Sequence, residues 1–478
     1  MSVLIVSSLS NCSANPAPIE SHPSDVRSCS GSGPEQEGTC MQVVQSTQPF
    51  VGNLVNPMSL LKGVAAGGPL VIASATGSTL TTADGRQLLD GMAGLINVNV
   101  GYGRSELAHV AAASMEELAF GTLFFGRATP PALALAGDLA ALAPGEINQF
   151  FFTNSGSEAN DSAYKFARLF HWLRGEPDRV KIIGRERNYH GMTMGGTAAT
   201  WDKEFHVGIG PLQPGFLHVP QPTADWQADL AILGARILAE GPETIAAFVA
   251  EPISMPAGSP MPAPEYWPEV RRLLDRHGIL WIADEVVTGF GRTGRMFAVE
   301  HWGADPDMLL MSKGVTSGYL PLGAVGLSDR IHEVFRESDR PMLHGFTTGG
   351  HPVSCAVARE NLRIIHDENL VERSRKLGEY FRAGLERLSA TREVYGAVRS
   401  LGLIVSIDLN PPEAFAAAGG TDFPALIPGE ALGRGGVLRA YDGCVSFAPP
   451  LVITESEIDQ LISTLDASVA AVLDRVGR

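Results

Sequence analysis

A regular alternation of short apolar runs and helical stretches is the feature that most limits the folds open to this 478-residue chain. From about Gly101 onward, apolar runs occur at Gln149–Thr153, Val180–Gly184 and Ala246–Ala250, the first of which predicts a buried strand. Helical patterns such as the Ala- and Leu-rich 130s lie before and between them. A further run, Ile279–Asp284, ends on a carboxylate. Short apolar runs that alternate with helices are typical of parallel strands joined by crossover connections. The sequence therefore predicts an α/β fold whose central sheet is mostly parallel and flanked by helices.

The length and composition divide the chain into regions. A chain of this size exceeds one simple core, so we expect a large domain and a smaller α+β domain. Residues 1–44 are rich in Ser, Pro, Gly and Glu, which is typical of a disordered tail. We expect residues 45–100 to begin the small domain, residues 101–340 to form the large domain, and residues 341–478 to complete the small one.

Two local patterns support this division. Residues 69–90 alternate short β-type runs around an Asp-Gly pair, which predicts a hairpin. Near the other end, Thr454 and Glu457 form a capping-box pattern ahead of a long apolar periodicity, which predicts a final helix.

Charge and cysteine content narrow the class of protein. The chain carries 36 Lys and Arg against 52 Asp and Glu, a net charge of −16, so no basic patch for nucleic acid or anionic lipid is expected. No apolar run approaches membrane-spanning length, and the N-terminus lacks the basic region of a secretory signal. The five cysteines have neither metal-site nor disulfide spacing, which favours a reducing compartment and a cytoplasmic enzyme of small molecules without a metal.

Lys313 and Asp284 are the first candidates for chemistry. Lys313 lies in a turn of small residues, and Asp284 ends a buried strand 29 positions earlier (313 − 284). An amine able to form a Schiff base and an anion able to face a pyridinium nitrogen are what a pyridoxal-phosphate enzyme requires. Taken singly, each residue has a simpler interpretation as a solvated turn or an ordinary strand end.

The segment Asn154–Asn160 predicts a phosphate site. It follows an apolar run and begins a helix, and free backbone N–H groups at a helix N-terminus bind phosphate. Gly156 permits close approach and Ser157 adds a hydroxyl donor. The simpler alternative is an ordinary serine N-cap.

Together these segments, with Asn188–Thr193 and His344–Pro352, resemble the class III aminotransferases, from about Gln45 to the C-terminus. The resemblance implies fold-type I and pyridoxal 5'-phosphate bound through Lys313, which then serves as the base. It also implies a homodimer that shares its active sites. The implied cofactor contacts are Gly156, Ser157, Tyr189, Glu251, Asp284, Val286, Lys313 and Thr347, with Tyr189 and Val286 against the two ring faces and Thr347 reaching the partner's phosphate.

His190, the neighbour of Tyr189, has no carboxylate partner evident in the sequence. A structural role is therefore favoured over a role as acid or base.

Departures from the family pattern address the substrate. Pro256 and Ser446 stand where ornithine and γ-aminobutyrate transaminases commonly have the Glu and Arg of a glutamate gate, and Val287 stands where they often have Gln. The segment around Arg439 resembles the ω-amine:pyruvate transaminases, which implies a mobile arginine that binds a carboxylate. Leu95, Ile96 and Phe124 would line an apolar pocket for an amine donor, and pyruvate is the expected keto-acid acceptor.

Other functions could use some of the same residues. An aminomutase, decarboxylase or racemase would use the same Lys313 and Asp284, and a noncatalytic scaffold with this fold would have no need for the lysine. The Gly289–Gly294 run matches a dinucleotide fingerprint, but it lies in mid-chain and no clear helix follows it. A nicotinamide dehydrogenase is therefore disfavoured.

Overall fold

The computed structural model describes residues 53–413, 415, 422–441 and 443–476. The predicted tail at residues 1–44 lies outside the described residues. The described residues before Ile72 belong to a unit separate from the rest of the chain, and that unit contains one helix, α1 (Leu61–Gly67). Within the described residues, no helix is both long enough and apolar enough to cross a membrane.

The larger unit alternates strands and helices, as the sequence predicts. Its strands, in chain order, are β1 Ile72–Thr76, β2 Thr79–Thr82, β3 Gln87–Asp90, β4 Ile147–Thr153, β5 Lys181–Arg185, β6 Phe216–Val219, β7 Ile245–Ala250, β8 Leu280–Asp284, β9 Met308–Met311, β10 Gly323–Ser328, β11 Tyr395–Leu401, β12 Ile404–Leu409, β13 Gly436–Val437, β14 Arg439–Tyr441 and β15 Cys444–Phe447. Its helices are α2 Ala93–Ile96, α3 Ser105–Glu117, α4 Pro130–Leu142, α5 Gly156–Leu173, α6 Met194–Ala199, α7 Trp226–Glu240, α8 Tyr266–His277, α9 Asp329–Arg336, α10 Pro352–Asp367, α11 Leu370–Ser389, α12 Ile427–Gly433 and α13 Glu455–Val476.

A seven-stranded sheet forms the centre, in the order β4-β10-β9-β8-β7-β5-β6. β10 runs antiparallel to its neighbours β4 and β9, and the pairs from β9 through β6 are parallel, which confirms the mostly parallel sheet. The prediction that Gln149–Thr153 forms a buried strand is wrong in part. β4 is an edge strand, so the side chains of Asn148 and Gln149 face solvent.

Helices cover the central sheet and supply its core. α5 contributes buried Ala159, Ala163 and Phe166, and the clusters continue through strand residues. In the other large cluster, the rings of Trp267 from α8 and Trp281 from β8 stack 5.1 Å apart. Burial of these aromatic side chains helps to hold helix and sheet together.

Two smaller sheets surround the central one. β2 and β3 form the predicted hairpin, and β1 pairs antiparallel with β2. β13 pairs in parallel with β3, with Gly436 opposite Leu89. The other sheet has the order β11-β12-β15-β14. Residues early and late in the chain thus share a sheet, while the division into a large and a small domain stays a prediction.

The final helix begins as predicted. Glu457 Oε2 accepts a hydrogen bond from Thr454 N at 2.8 Å, and Thr454 Oγ1 accepts one from Glu457 N at 3.2 Å. These reciprocal bonds satisfy two free N–H groups at the helix start, which confirms the capping box.

The Gly289–Gly294 run forms turns around a buried arginine. The Arg292 guanidinium donates to the carbonyls of Pro449 and Leu403 and, at 2.8 Å, to Asn99 Oδ1. Burial lowers the pKa of Arg292 to about 9. Instead of a nucleotide-binding helix start, this run is a structural junction between distant parts of the chain.

Candidate active site

Three ionisable residues follow three adjacent strands of the central sheet. Glu251 comes directly after β7, Asp284 is the last residue of β8, and Lys313 lies two residues after the end of β9. The strands are parallel neighbours, so their carboxyl ends lie at one edge of the sheet. Ligands of open α/β sheets bind at this edge.

The Asp284 carboxylate is buried and held by three donors. Its Oδ2 accepts from His190 Nδ1 at 2.7 Å and from Asn160 Nδ2 at 2.9 Å, and its Oδ1 accepts from Val286 N at 3.1 Å. Among the described residues, no Lys or Arg forms an ion pair with it. His190 therefore has the carboxylate partner that the sequence analysis did not find.

Asn160 is a site residue that sequence reasoning missed. Its Oδ1 accepts from the Tyr164 hydroxyl at 2.8 Å, and its Nδ2 also lies 3.1 Å from Gly156 O. All three residues lie on α5, four positions apart, so they share one helix face. That spacing from the predicted phosphate-binding glycine is the sequence signal that could have identified Asn160.

Lys313 occupies a backbone conformation that non-glycine residues rarely adopt, with φ of 46°. Burial lowers its pKa to about 8, although the carboxylates of Asp284 and Glu251 favour the charged form. The guanidinium groups of Arg439 and Arg292 lower the pKa further. A lysine in this state supplies a neutral amine near neutral pH more readily than an exposed one.

Glu251 supports the segment that carries Tyr189. Its Oε1 accepts from Tyr189 N at 3.1 Å and from Ser254 Oγ at 2.9 Å. Burial raises the pKa of Glu251 to about 7. Tyr189 is half-buried, and burial and the Asp284 charge raise the pKa of its hydroxyl.

The start of α5 has the properties predicted for a phosphate site and also those of an N-cap. Ser155 Oγ accepts from Glu158 N at 3.2 Å, which is the ordinary capping bond. Ser157 Oγ accepts from Met192 N at 3.1 Å, so its own proton is left to donate. A Cβ built at Gly156 would lie 3.0 Å from Val286 Cγ1, which places Val286 against the helix start.

The residues predicted to contact substrate differ in exposure. Leu95 is exposed and Phe124 half-buried, with its ring against Gly345. Ile96 is only 5% exposed and belongs to an apolar cluster that includes Met255 and Tyr441. Their contact with substrate stays a prediction.

Arg439 lies on β14 with its guanidinium lacking a carboxylate partner among the described residues. Its Nη1 is 3.5 Å from the Tyr441 hydroxyl, and its guanidinium carbon lies 5.9 Å from the centre of the Tyr441 ring. Its charge lowers the pKa of both Lys313 and Tyr189, so it acts on the same space as they do. An unpaired arginine facing this space can accept an anionic group.

Thr347, the last predicted cofactor contact, is exposed on the surface of the single chain. The other predicted cofactor contacts, at the sheet edge, are half-buried or buried. The structure of one chain does not bring Thr347 together with them.

The donor set suits pyridoxal phosphate. A buried carboxylate paired with neither Lys nor Arg can face a protonated ring nitrogen, and a lysine with a lowered pKa can bond to the aldehyde. The free hydroxyl proton of Ser157 at the α5 start can meet a phosphate. In the part of the chain that the structure describes, no group of three His, Cys, Asp or Glu side chains could hold a metal ion.

Comparison with known proteins agrees with this geometry. The family described as Aminotransferase class-III matches residues 64–469. A putrescine–pyruvate aminotransferase of Pseudomonas aeruginosa is 38% identical over 440 residues, which are 87% of this chain and 95% of that protein. An (S)-enantioselective ω-transaminase of Thermomicrobium roseum superposes with a TM-score of 0.83 at 40% identity, covering 88% of this chain and 96% of that one. The ω-transaminase of Pseudomonas jessenii in complex with PMP has a TM-score of 0.84 at 32% identity, covering 89% and 97%.

Proposed function

Because this chain belongs to the class III aminotransferases, a family of pyridoxal-phosphate enzymes, and is itself a transaminase, we propose that it moves amino groups from ω-amines to pyruvate. The cofactor is pyridoxal 5'-phosphate, bonded to Lys313. The observation that carries the proposal is the group at the sheet edge, where a lysine with a pKa of about 8 lies in the field of Asp284, Glu251 and Arg439. The named activities of the Pseudomonas aeruginosa and Thermomicrobium roseum relatives support the choice of donor and acceptor.

The residues of this chain divide the work of the reaction. When bound, the cofactor supplies an electron sink for the charge left as the substrate C–H bond breaks. The Asp284 carboxylate would face the ring nitrogen, and His190 and Asn160 fix the direction of its Oδ2. The Nζ of Lys313, released as a neutral amine when the substrate amine takes its place, would accept the proton from the substrate carbon that carries the amine.

Tyr189 and Val286 would hold the cofactor ring between them, one on each face. Glu251 fixes the backbone of Tyr189, and the α5 start fixes Val286. A flat, fixed ring keeps the breaking bond aligned with the electron sink, which raises the rate through orientation.

Arg439 recognises the carboxylate of pyruvate and turns away from uncharged amines. Its contact with Tyr441 is long, and no carboxylate among the described residues holds it, so it is free to change partner. Leu95, Ile96 and Phe124 supply the apolar remainder of the pocket.

The active enzyme is a homodimer in which Thr347 of each chain reaches the phosphate bound by the other. Exposed apolar side chains near this segment support the dimer, since Leu343 is 92% exposed and Phe125 is 90% exposed on the single chain. Large exposed apolar side chains that cluster on a surface mark interaction sites. We place the dimer in a reducing cytoplasm, where the described Cys355 and Cys444 would stay unpaired.

An absorbance titration tests the proposal. Purified protein loaded with pyridoxal phosphate is mixed with each of a small panel of amines and then with pyruvate or 2-oxoglutarate. The visible band should fade with a good amine donor and return with pyruvate but not with 2-oxoglutarate. No band after adding pyridoxal phosphate would remove Lys313 from its role, and recovery with 2-oxoglutarate alone would refute the acceptor.

A further inference from the structure

The loop His344–Gly350 is fixed to the same part of the chain that forms the predicted phosphate site. Thr348 Oγ1 donates to Asn154 Oδ1 at 2.8 Å. Asn154 is the residue before the Ser155 N-cap, and Glu158 Oε2 accepts both its backbone N–H at 2.7 Å and its Nδ2 at 2.9 Å. Asn154 is therefore the first anchor of the loop, because it connects the loop to the first turn of α5.

A second anchor lies at the start of the loop. Ser162 Oγ donates to Glu158 O at 2.6 Å, so its bond of 2.8 Å with His344 Nε2 requires the ring nitrogen to donate. The Lys165 ammonium lies 3.4 Å from His344 Nδ1, which must then accept. The His344 ring also stacks on Phe151, with ring centres 5.3 Å apart. Both ring nitrogens are used by a neutral histidine.

The third anchor is the backbone at the end of the loop. A Cβ built at Gly349 would lie 2.7 Å from Phe152 O, so only glycine allows the loop to pass this close to β4. Thr347 stands between the anchors and is exposed. A loop held at these points can present the exposed Thr347 side chain to another molecule in a fixed position.

We infer that Asn154 and Thr348 are positioning residues that connect the two phosphate sites of the dimer, so that each chain's α5 start orients the Thr347 that the chain gives to its partner. This inference rests on the shared site of the proposed function. Loss of the Thr348 hydroxyl in one chain should loosen Thr347 of that chain and weaken cofactor binding in the other chain. The effect is thus in trans, although the broken bond lies within one chain.

A mixed dimer tests the direction of this effect. One chain carries Lys313→Ala, so only its partner, with Lys313 intact, gains the visible absorbance of bonded pyridoxal phosphate on titration. Adding Thr348→Val to the Lys313→Ala chain should weaken cofactor binding at the reporting site about two- to tenfold, the usual effect of one lost hydrogen bond. Thr348→Ser in the same chain should restore the affinity, and Thr348→Val placed in the reporting chain instead should weaken the reporting site less than the same change in the Lys313→Ala chain does.

The outcomes separate the inference from the proposed function. Thr347→Val in the Lys313→Ala chain should also weaken the reporting site. If Thr347→Val weakens it and Thr348→Val does not, the connection through Asn154 is overturned while the shared site stands. If Thr347→Val has no effect, the shared site itself is refuted. The inference would also be overturned if Thr348→Val weakened cofactor binding only when placed in the reporting chain.

Discussion

Replacement of His190 by Phe tests how the site holds its essential carboxylate. Phe keeps a planar aromatic ring, somewhat larger than imidazole, but removes the Nδ1–H that lies 2.7 Å from Asp284 Oδ2. The side chain is fully buried, so water cannot take its place. Asn160 and the backbone N–H of Val286 would remain as donors.

The expected loss follows from the kind of bond removed. A hydrogen bond to a charged group contributes about 1.5–3 kcal/mol, which corresponds to about a 10- to 150-fold change. The affinity for pyridoxal phosphate and the kcat/KM for the amine and pyruvate should each decrease by a factor within this range. Thermal unfolding should confirm that the variant remains folded.

The matched control is His190→Asn. The Asn side-chain amide can place a donor where Nδ1 stands, so this variant should regain most of the lost affinity despite its smaller side chain. Absorbance titration with pyridoxal phosphate measures the affinity of both variants. Equal losses in the Phe and Asn variants would assign the effect to packing, and no loss in the Phe variant would refute the positioning role.

Three further predictions concern neighbouring residues. The rate at which cofactor-free protein takes up pyridoxal phosphate should rise with pH and level off above about 8, because only the neutral amine reacts and burial lowers the pKa of Lys313 to about 8. Stopped-flow absorbance measures this rate, and a rise that continues to the ordinary lysine pKa of 10.5 would contradict the prediction. Arg439→Ala should reduce kcat/KM for pyruvate about 10-fold or more relative to an uncharged aldehyde acceptor, as expected for loss of a charge-assisted bond, whereas equal losses in competition assays would exclude the carboxylate role. Gly156→Ala should weaken cofactor binding, because the new methyl group lies 3.0 Å from Val286 Cγ1, and a second change of Val286→Ala should reverse part of the loss if that contact is the cause.

The sequence predicts those parts of the site that depend on short stretches of chain. Lys313, Asp284 and the α5 start each follow a strand that is recognisable from its own composition, and the capping box of Thr454 spans only four residues. Local patterns of this kind determine element type and element ends.

Contacts between segments that are far apart in the chain could not be predicted from the sequence. The partners of Asp284 lie 94 residues away at His190 and 124 residues away at Asn160, and no periodicity relates them. The edge position of β4 is a similar case, because a run of three phenylalanines looks the same in an edge strand and a central one. Strand order depends on the whole chain, so the burial of Gln149 was predicted wrongly.

The buried Arg292 has a consequence for the design of chimaeric enzymes. Its guanidinium is held by oxygens of Asn99, Leu403 and Pro449, which lie 193, 111 and 157 residues away from it in the chain. A hybrid that takes the C-terminal third from one relative and the remainder from another would pair this arginine with carbonyls shaped by a different backbone. Because an unsatisfied buried guanidinium is strongly destabilising, recombination should inherit all four positions from one parent. Libraries that exchange only substrate-lining loops would leave this junction intact and should yield more folded members.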